Sequence, residues 1–449
     1  MNSSIRHVLK RYSTSAKPLV IPNSNVINDI DNNVYKYKKH PGINLPRTVL
    51  LPESFIKAVI NVLADYPVKG LIESSEKLTR HLKGRVAPME KLDLREKVSH
   101  IQEKVLSKYN KTEFSTVEDE MNFKHMVEHK IQRRINKQLY NWKPIKYDIN
   151  NSLLYLIGRS AAEYATLVKI FGEIETRDPS FKPKSIFDYG SGVGTASWAA
   201  NLFWKKYILE YFNVDTSRDM NDLAQMLLQG GHGTPAVPIK GVFYRQFLPA
   251  TPLNYDLVVS SFSMFELPSS KNRLETILNL WNKTAKYLVI VEQGSNAGFK
   301  VVNELRDFLL QIDKEGHKCT VFSPCSHDAM CPRFLLDDGT PCNFEVSYHS
   351  LPLVGHSEVK SDLYSYVVLQ KGNVEHCAEE RWPRVVRPTL VRSKHTICRL
   401  CTSNGKLQEV IFTTGKHGKT MYHCSRATKW GDRLPVNIQD SSEKCDINQ

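Results

Sequence analysis

What this chain lacks narrows its class before any motif is read. Nowhere in its 449 residues does an uncharged apolar run approach the roughly 20 residues of a bilayer-spanning helix, which excludes a reading as a helical membrane protein. No apolar secretory leader accompanies the nine cysteines, and their spacing offers no paired framework. The expected compartment is therefore reducing, and metal ligation or plain burial must account for the thiols. Acid is scarce: 47 Asp and Glu stand against 61 Lys and Arg, a formal net charge of +14. That balance favours a polyanionic partner, because clustered cations displace counterions from phosphates; RNA, DNA and an anionic membrane surface all meet the condition. No internal repeat and no low-complexity block is found, and the length exceeds what one ordinary core fills, so two or three domains are expected.

The scarcity of acid is sharpest at the amino end, where Asp29 is the first carboxylate. Arg6, Lys10, Arg11 and Lys17 lie among Ser and Thr, and Ile5, Val8, Leu9 and Tyr12 share one helical face. This composition predicts a mitochondrial transit peptide over residues 1–25, with a basic tail as the alternative.

Residues 26–150 read as a charged helical region. Lys91 to Leu139 contains neither Gly nor Pro and carries apolar residues at helical spacing, such as Val98, Ile101 and Val105, then Met126, Ile131 and Ile135. Long amphipathic helices are expected there, either as a solvated layer or against a partner. From Leu153 the texture changes. An apolar helix (Leu153–Ile157 and Ala161–Ile174) is followed by Pro179 and Pro183, then by alternating strands and helices: Ser185–Asp188, Ala196–Phe203, Ile208–Val214, Gly241–Phe247, Leu257–Ser261, Ser270–Thr284 and Tyr287–Glu292. That order predicts an α/β core with a parallel sheet covered on both faces, over residues 151–372. A final strand, Tyr364–Gln370, completes it; a Cys-rich insertion occupies about 319–345, and a basic β-rich domain follows over 373–449.

The first strand ends in Asp188-Tyr189-Gly190-Ser191-Gly192-Val193-Gly194. Glycines belong at the first strand-to-helix turn of such a sheet, where the backbone must approach the ligand closely. The alternating glycines after an acid differ from the dinucleotide pattern and resemble motif I of class I S-adenosylmethionine-dependent (SAM) methyltransferases. Asp188, Gly190, Ser191, Gly192 and Gly194 are thus the expected cofactor loop. Asp215, at the end of the next strand, is placed to accept hydrogen bonds from ribose hydroxyls. The segment Ser260–Leu267, where methyltransferases keep catalytic residues, holds neither Asn-Pro-Pro-Tyr nor a Pro-Cys nucleophile. Glu266 is its sole candidate base and equally a helix-start residue, so no catalytic residue is assigned.

Cys325, Cys331 and Cys342 fall within eighteen residues and beside three prolines. Their gaps are wider than the knuckles of a zinc finger and suit a larger four-thiolate iron–sulfur cluster, with Cys401 or Cys398 as fourth ligand. Zinc with His327 or Cys398, and three merely buried thiols, are the alternatives. Between Arg381 and Trp430, eleven Lys and Arg accompany one acid, Glu409, with Trp382, His395, His417, Tyr422, His423 and Trp430 interleaved. Cations for phosphate and planes for stacking make this the expected RNA contact, a solvated charged face being the alternative.

Taken together, Ile186–Thr195, Val258–Leu267, Leu288–Ser295 with Gly298-Phe299, Cys325–Phe344, Lys394–Gly405 and Trp430-Gly431-Asp432 resemble the methyltransferase-like protein 17 family of mitochondrial small-subunit ribosome assembly factors. The resemblance covers most of the chain after residue 150. It implies a [4Fe–4S] cluster on Cys325, Cys331, Cys342 and Cys401, a retained S-adenosylmethionine pocket, a matrix location, and binding to the small ribosomal subunit and its rRNA among other assembly factors. Little or no methyl transfer is implied. An active rRNA methyltransferase and a zinc-stabilised protein methyltransferase are the competing readings.

Overall fold

The computed structural model describes residues 18–109, 116–138, 142–231, 238–249, 253–312, 319–372 and 381–439. Residues 1–17 of the expected transit peptide, Cys377 and Cys445 lie outside them. Two short strands come first, β1 (Leu19–Pro22) and β2 (Thr48–Val49). The core adds β3 (Ser185–Tyr189), β4 (Glu210–Val214), β5 (Val242–Arg245), β6 (Tyr255–Ser261), β7 (Thr284–Gln293), β8 (Cys319–Ser323), β9 (Phe344–His349) and β10 (Val359–Lys371). In space the order is β5-β4-β3-β6-β7-β10, with β8 and β9 sharing the far side of β10 and β2 beyond β9. The pairs from β5 to β7 are parallel, whereas β10 runs antiparallel to β7. The order in which the chain adds strands reverses at β3, with β4 and β5 on one side and β6 and β7 on the other, and such a switch point opens a crevice at the carboxyl end of β3.

Local sequence explains these elements. Ile186, Phe187, Leu257, Val258, Leu288, Val289 and Ile290 are fully buried, as continuous β-branched and apolar runs are in a sheet covered twice. The long helix Ile149–Arg177 starts at Asp148, whose side chain accepts from the Asn151 amide. It is buried nearly all round, and its charged residues all find partners inside: Arg159 with Glu163 and Asp362, Lys169 with two carbonyls, Glu173 with Arg384. The two apolar segments expected before the sheet are thus one helix of 29 residues.

The carboxyl-terminal domain comprises β11 (Arg384–Val385), β12 (Leu390–Val391), β13 (Thr396–Cys401), β14 (Leu407–Phe412) and β15 (Val436–Gln439), with helix Lys419–Ala427 packed on them. Here the amino end departs from expectation. β1 pairs antiparallel with β15, and helix Ser24–Asp31 packs on the same domain. The leader boundary expected at residue 25 therefore falls inside folded chain, and the region 26–150 is not a separate layer. It starts on the carboxyl-terminal domain, adds β2 to the sheet edge, and lays Glu53–Leu63 and Val68–Lys83 against helices Arg218–Leu228 and Ile149–Arg177. The uninterrupted run after Lys91 forms two helices, Lys91–Leu106 and Val117–Gln138, packed on each other through Ile101, Val105 and Val127. No described helix is long and apolar enough to cross a membrane.

Candidate functional site: a nucleoside crevice and a thiol-lined seam

At the end of β3, Gly190, Gly192 and Gly194 all take positive φ (69°, 50° and 80°), the left-handed region that favours glycine. A methyl group on Gly190 would lie 2.4 Å from the Ser263 Cβ, so that position is also sterically closed to larger residues. Asp188 is buried on β3, and one of its oxygens finds no hydrogen-bond partner among the described residues. Burial, then the Asp215 and Glu163 carboxylates, push its pKa up to about 8. The buried Ser191 hydroxyl likewise lacks a partner. Asp215 accepts from the Gly192 and Ser217 amides, both at 2.9 Å, which holds the carboxylate against the loop; burial raises its pKa. All of the expected loop residues are therefore brought to one place. A cavity of about 380 Å³ lies beside them, lined by Gly190, Gly192 and Asp215, by Phe247 and Leu248, and by Tyr147 and Tyr155.

What sequence reasoning missed is the strap beside this cavity. Residues 142–148, leading into the long helix, run beside the crevice, and Pro144, Ile145 and Tyr147 line its cavity. Trp142 donates its indole N–H to the Phe265 carbonyl at 3.0 Å, and Tyr147 its hydroxyl to Glu266 at 3.3 Å. The buried Arg85 grips Glu266 with both terminal nitrogens and also donates to the Phe265 carbonyl at 3.1 Å. Glu266 thus anchors the strap. Neither Trp142 nor Arg85 belongs to a local motif, so no sequence signal could have found them.

The second site lies on the seam between the core and the carboxyl-terminal domain. Cys325 follows β8, Cys331 precedes the short helix Pro332–Leu336, Cys342 precedes β9 and Cys401 ends β13; all four line one cavity. Cys398 does not join them. Three residues from Cys401 on the same strand, it points to the opposite face and packs in the domain core with Val385, Phe412 and Met421. Mutual proximity is evident in the thiols' acidity: burial and Cys325 push Cys331 up to about 11, and burial with the neighbouring sulfurs raises Cys342 and Cys401. Among the described residues, however, no three Cys, His, Asp or Glu side chains come close enough to hold a single metal ion. The thiols ring a space rather than converge on a point.

Arginines hold that ring in shape through carbonyl oxygens. Arg306 donates to the His327 and Ala329 carbonyls at 3.2 and 2.7 Å, Arg384 to that of Pro324 at 2.9 Å, and Arg387 to that of Pro341 at 2.8 Å. The His327 Nδ1 faces the Ala329 carbonyl at 3.1 Å, so the proton sits on Nδ1 and Nε2 lies 3.4 Å from the Cys401 sulfur as an acceptor. Arg384 also forms a buried double contact with Glu173, at 2.6 and 3.0 Å, tying the seam to the long helix. The basic tail is folded rather than extended, which corrects part of its expected role. Trp382, Tyr422 and Trp430 lie against Arg433, Arg426 and Arg387, and His417 is buried, so these planes are largely engaged at home. The charges stay outside: Arg392, Lys394, Arg399, Lys406, Lys416, Lys419 and Lys429 are exposed.

The parallel order with an antiparallel strand inserted beside β7, together with a glycine crevice at the switch point, defines the class I SAM-methyltransferase fold. Comparison of the sequence then places the chain more narrowly. Residues 149–435 match the family model described as "Mitochondrial small ribosomal subunit Rsm22", and the chain belongs to this family. It is 34% identical over 407 residues to the human "Ribosome assembly protein METTL17, mitochondrial", covering 89% of this chain and 86% of that protein. It is 26% identical over 360 residues to the "Rsm22-cox11 tandem protein 2, mitochondrial" of Schizosaccharomyces pombe, covering 66% of this chain and 45% of that one. A SAM-dependent methyltransferase from Aquifex aeolicus overlays on 39% of this chain and 92% of its own, with 16% identity and a TM-score of 0.29.

Proposed function

We propose that this protein is an assembly factor of the mitochondrial small ribosomal subunit, acting in the matrix by binding small-subunit rRNA through a methyltransferase-like body with little or no methyl transfer. Kinship to a ribosome assembly protein along nine-tenths of the chain supports the setting. The observation that carries the mode of action is the strap: Arg85, Trp142 and Tyr147 engage Phe265-Glu266, the segment where a methyltransferase would keep its catalytic residues. The cavity behind it suits a nucleoside cofactor in size, and Asp188, a buried acid lacking a partner on one oxygen, suits the cationic amine of S-adenosylmethionine. Pocket residues Gly190, Ser191, Gly192, Gly194 and Asp215 would frame the same ligand.

The seam fits an iron–sulfur cluster better than zinc. Four thiols and no carboxylate line it, and their spacing in the chain is wider than the paired knuckles zinc takes. Cys325, Cys331, Cys342 and Cys401 would hold a [4Fe–4S] cluster, whose iron–thiolate bonds would clip the carboxyl-terminal domain to the core. His327 and the surrounding arginines orient the loops that carry these thiols.

Anaerobic purification with metal analysis, followed by RNA titration and incubation with labelled S-adenosylmethionine, tests the reading. Expected are about four irons per chain, rRNA binding, and no transferred label. Zinc at one equivalent without iron would remove the cluster, and transfer of label to rRNA that is lost in Asp188→Asn would establish the active methyltransferase instead.

A further inference from the structure

A second cleft, of about 330 Å³, runs along the outer side of the seam, apart from both the nucleoside crevice and the thiol ring. One wall is the segment Arg426–Asp432 of the carboxyl-terminal domain; the other is the edge of the main sheet at β9 and β10, with Arg47 and Lys169 at the base. Its frame is built before any ligand arrives. Asp432 accepts from the Asn44 and Lys429 amides at 3.0 and 2.7 Å and is paired with Arg47 at 2.8 Å. Lys169 donates to the Asn44 and Pro46 carbonyls at 2.5 and 3.1 Å. These contacts fix the carboxyl-terminal wall to Asn44 and Arg47 and those in turn to Lys169 of the long helix.

Charge and shape in this cleft are lopsided. Arg47, Lys169, Arg426 and Lys429 face two carboxylates, Glu345 and Asp432, and Asp432 is already consumed by Arg47. Arg426 is held in place by the Arg392 carbonyl at 2.7 Å and the Tyr422 hydroxyl at 2.9 Å. Lys429 is exposed at the rim, and among the described residues its ammonium has no hydrogen-bond or ion-pair partner. Beside it Trp430 is half-buried, with Phe344 and Tyr364 deeper in the wall. Elsewhere on the basic domain the cations are outside and the aromatic planes are engaged internally; Trp430 has Arg387 over its ring at 5.7 Å and also lines this cleft. Here a loose cation, a fixed guanidinium and an aromatic wall meet in a space too narrow for a duplex and large enough for one base with its phosphate.

We propose that this cleft receives a single unpaired nucleotide of an RNA strand, with the phosphate at Lys429 and Arg426 and the base against the Trp430 wall. The inference rests on the RNA-binding reading above and adds to it a position and a preference for single strands. Sequence-tolerant stacking combined with backbone neutralisation is how single-stranded RNA is gripped without base-pair readout.

The test uses the full chain, a short single-stranded RNA carrying 4-thiouridine, and a hairpin duplex of matched composition. Lys429→Glu, at an exposed position, is expected to weaken single-strand binding by about tenfold and to reduce the salt slope by about one, with Lys429→Arg restoring both. Duplex binding should change little, and the wild-type crosslink should map to the peptide containing Trp430. If wild-type protein binds RNA but Lys429→Glu binds it equally well and the crosslink lies elsewhere, the cleft is not the site. Displacement of the RNA by polyglutamate as effectively as by unlabelled RNA would assign the cleft to acidic peptides and overturn the proposal. Failure of the wild-type chain to bind any RNA at moderate salt would instead remove the underlying reading.

Discussion

The residues that define the crevice are constrained from two directions at once. Gly190 has a positive φ and faces the Ser263 side chain, so Gly190→Ala combines backbone strain of about 1–3 kcal/mol with a clash. Calorimetry should show loss of S-adenosylmethionine binding in this variant while the protein remains folded by circular dichroism. Asp188 supplies a pH dependence. Its pKa, raised to about 8 by burial and by Asp215 and Glu163, keeps it protonated at neutrality in the free protein. A ligand cation stabilises the carboxylate form, so binding should release a proton near pH 7 and strengthen as pH rises toward 8. Titrations in buffers of different ionisation enthalpy measure this directly; identical apparent enthalpies would exclude Asp188 as the amine's partner. At the seam, Cys401→Ser should lower bound iron, whereas Cys398→Ser, in the apolar core of the β domain, should leave iron intact and cost only packing.

Between elements, buried ion pairs do much of the joining. Glu173 of the long helix and Arg384 of β11 are both buried, and breaking such a pair leaves an uncompensated charge at a cost of about 3–5 kcal/mol. Glu173→Gln should therefore lower the melting temperature and increase protease cleavage of the carboxyl-terminal domain. Arg384 and Arg177 hold the Glu173 carboxyl well below the usual carboxylate range, against the opposing effect of its burial. A depressed folded pKa stabilises above the unfolded value and is lost as pH falls through the folded one, so docking should weaken in acid, below about pH 4. Arg85 plays the corresponding part for the strap. Arg85→Ala removes the partner of Glu266 and a donor to Phe265, and should raise hydrogen exchange over residues 142–148 before it affects the sheet.

For the molecule as a whole, chelation of iron should act like a cut in the seam, lowering thermal stability and loosening the carboxyl-terminal domain without unfolding the crevice; unchanged stability after iron loss would show that the ion pairs suffice alone. At this scale the gap between sequence and structure is also plainest. The alternation of strands and helices, the cofactor loop from Asp188 to Gly194, and the clustering of Cys325, Cys331 and Cys342 follow from local pattern, because glycine conformation, apolar period and thiol spacing are properties of neighbouring residues. β1 pairing with β15, Arg85 reaching Glu266, and the choice of Cys401 over Cys398 follow from contacts between residues hundreds of positions or one strand face apart. By itself the sequence determined the fold class, the place of the glycine loop and the clustering of three of the thiols. Only the tertiary structure decided that the segment before the long helix lines that crevice, that the fourth thiol faces the other three, and that the basic domain and the core share a cleft, since each depends on which surfaces long-range packing brings together.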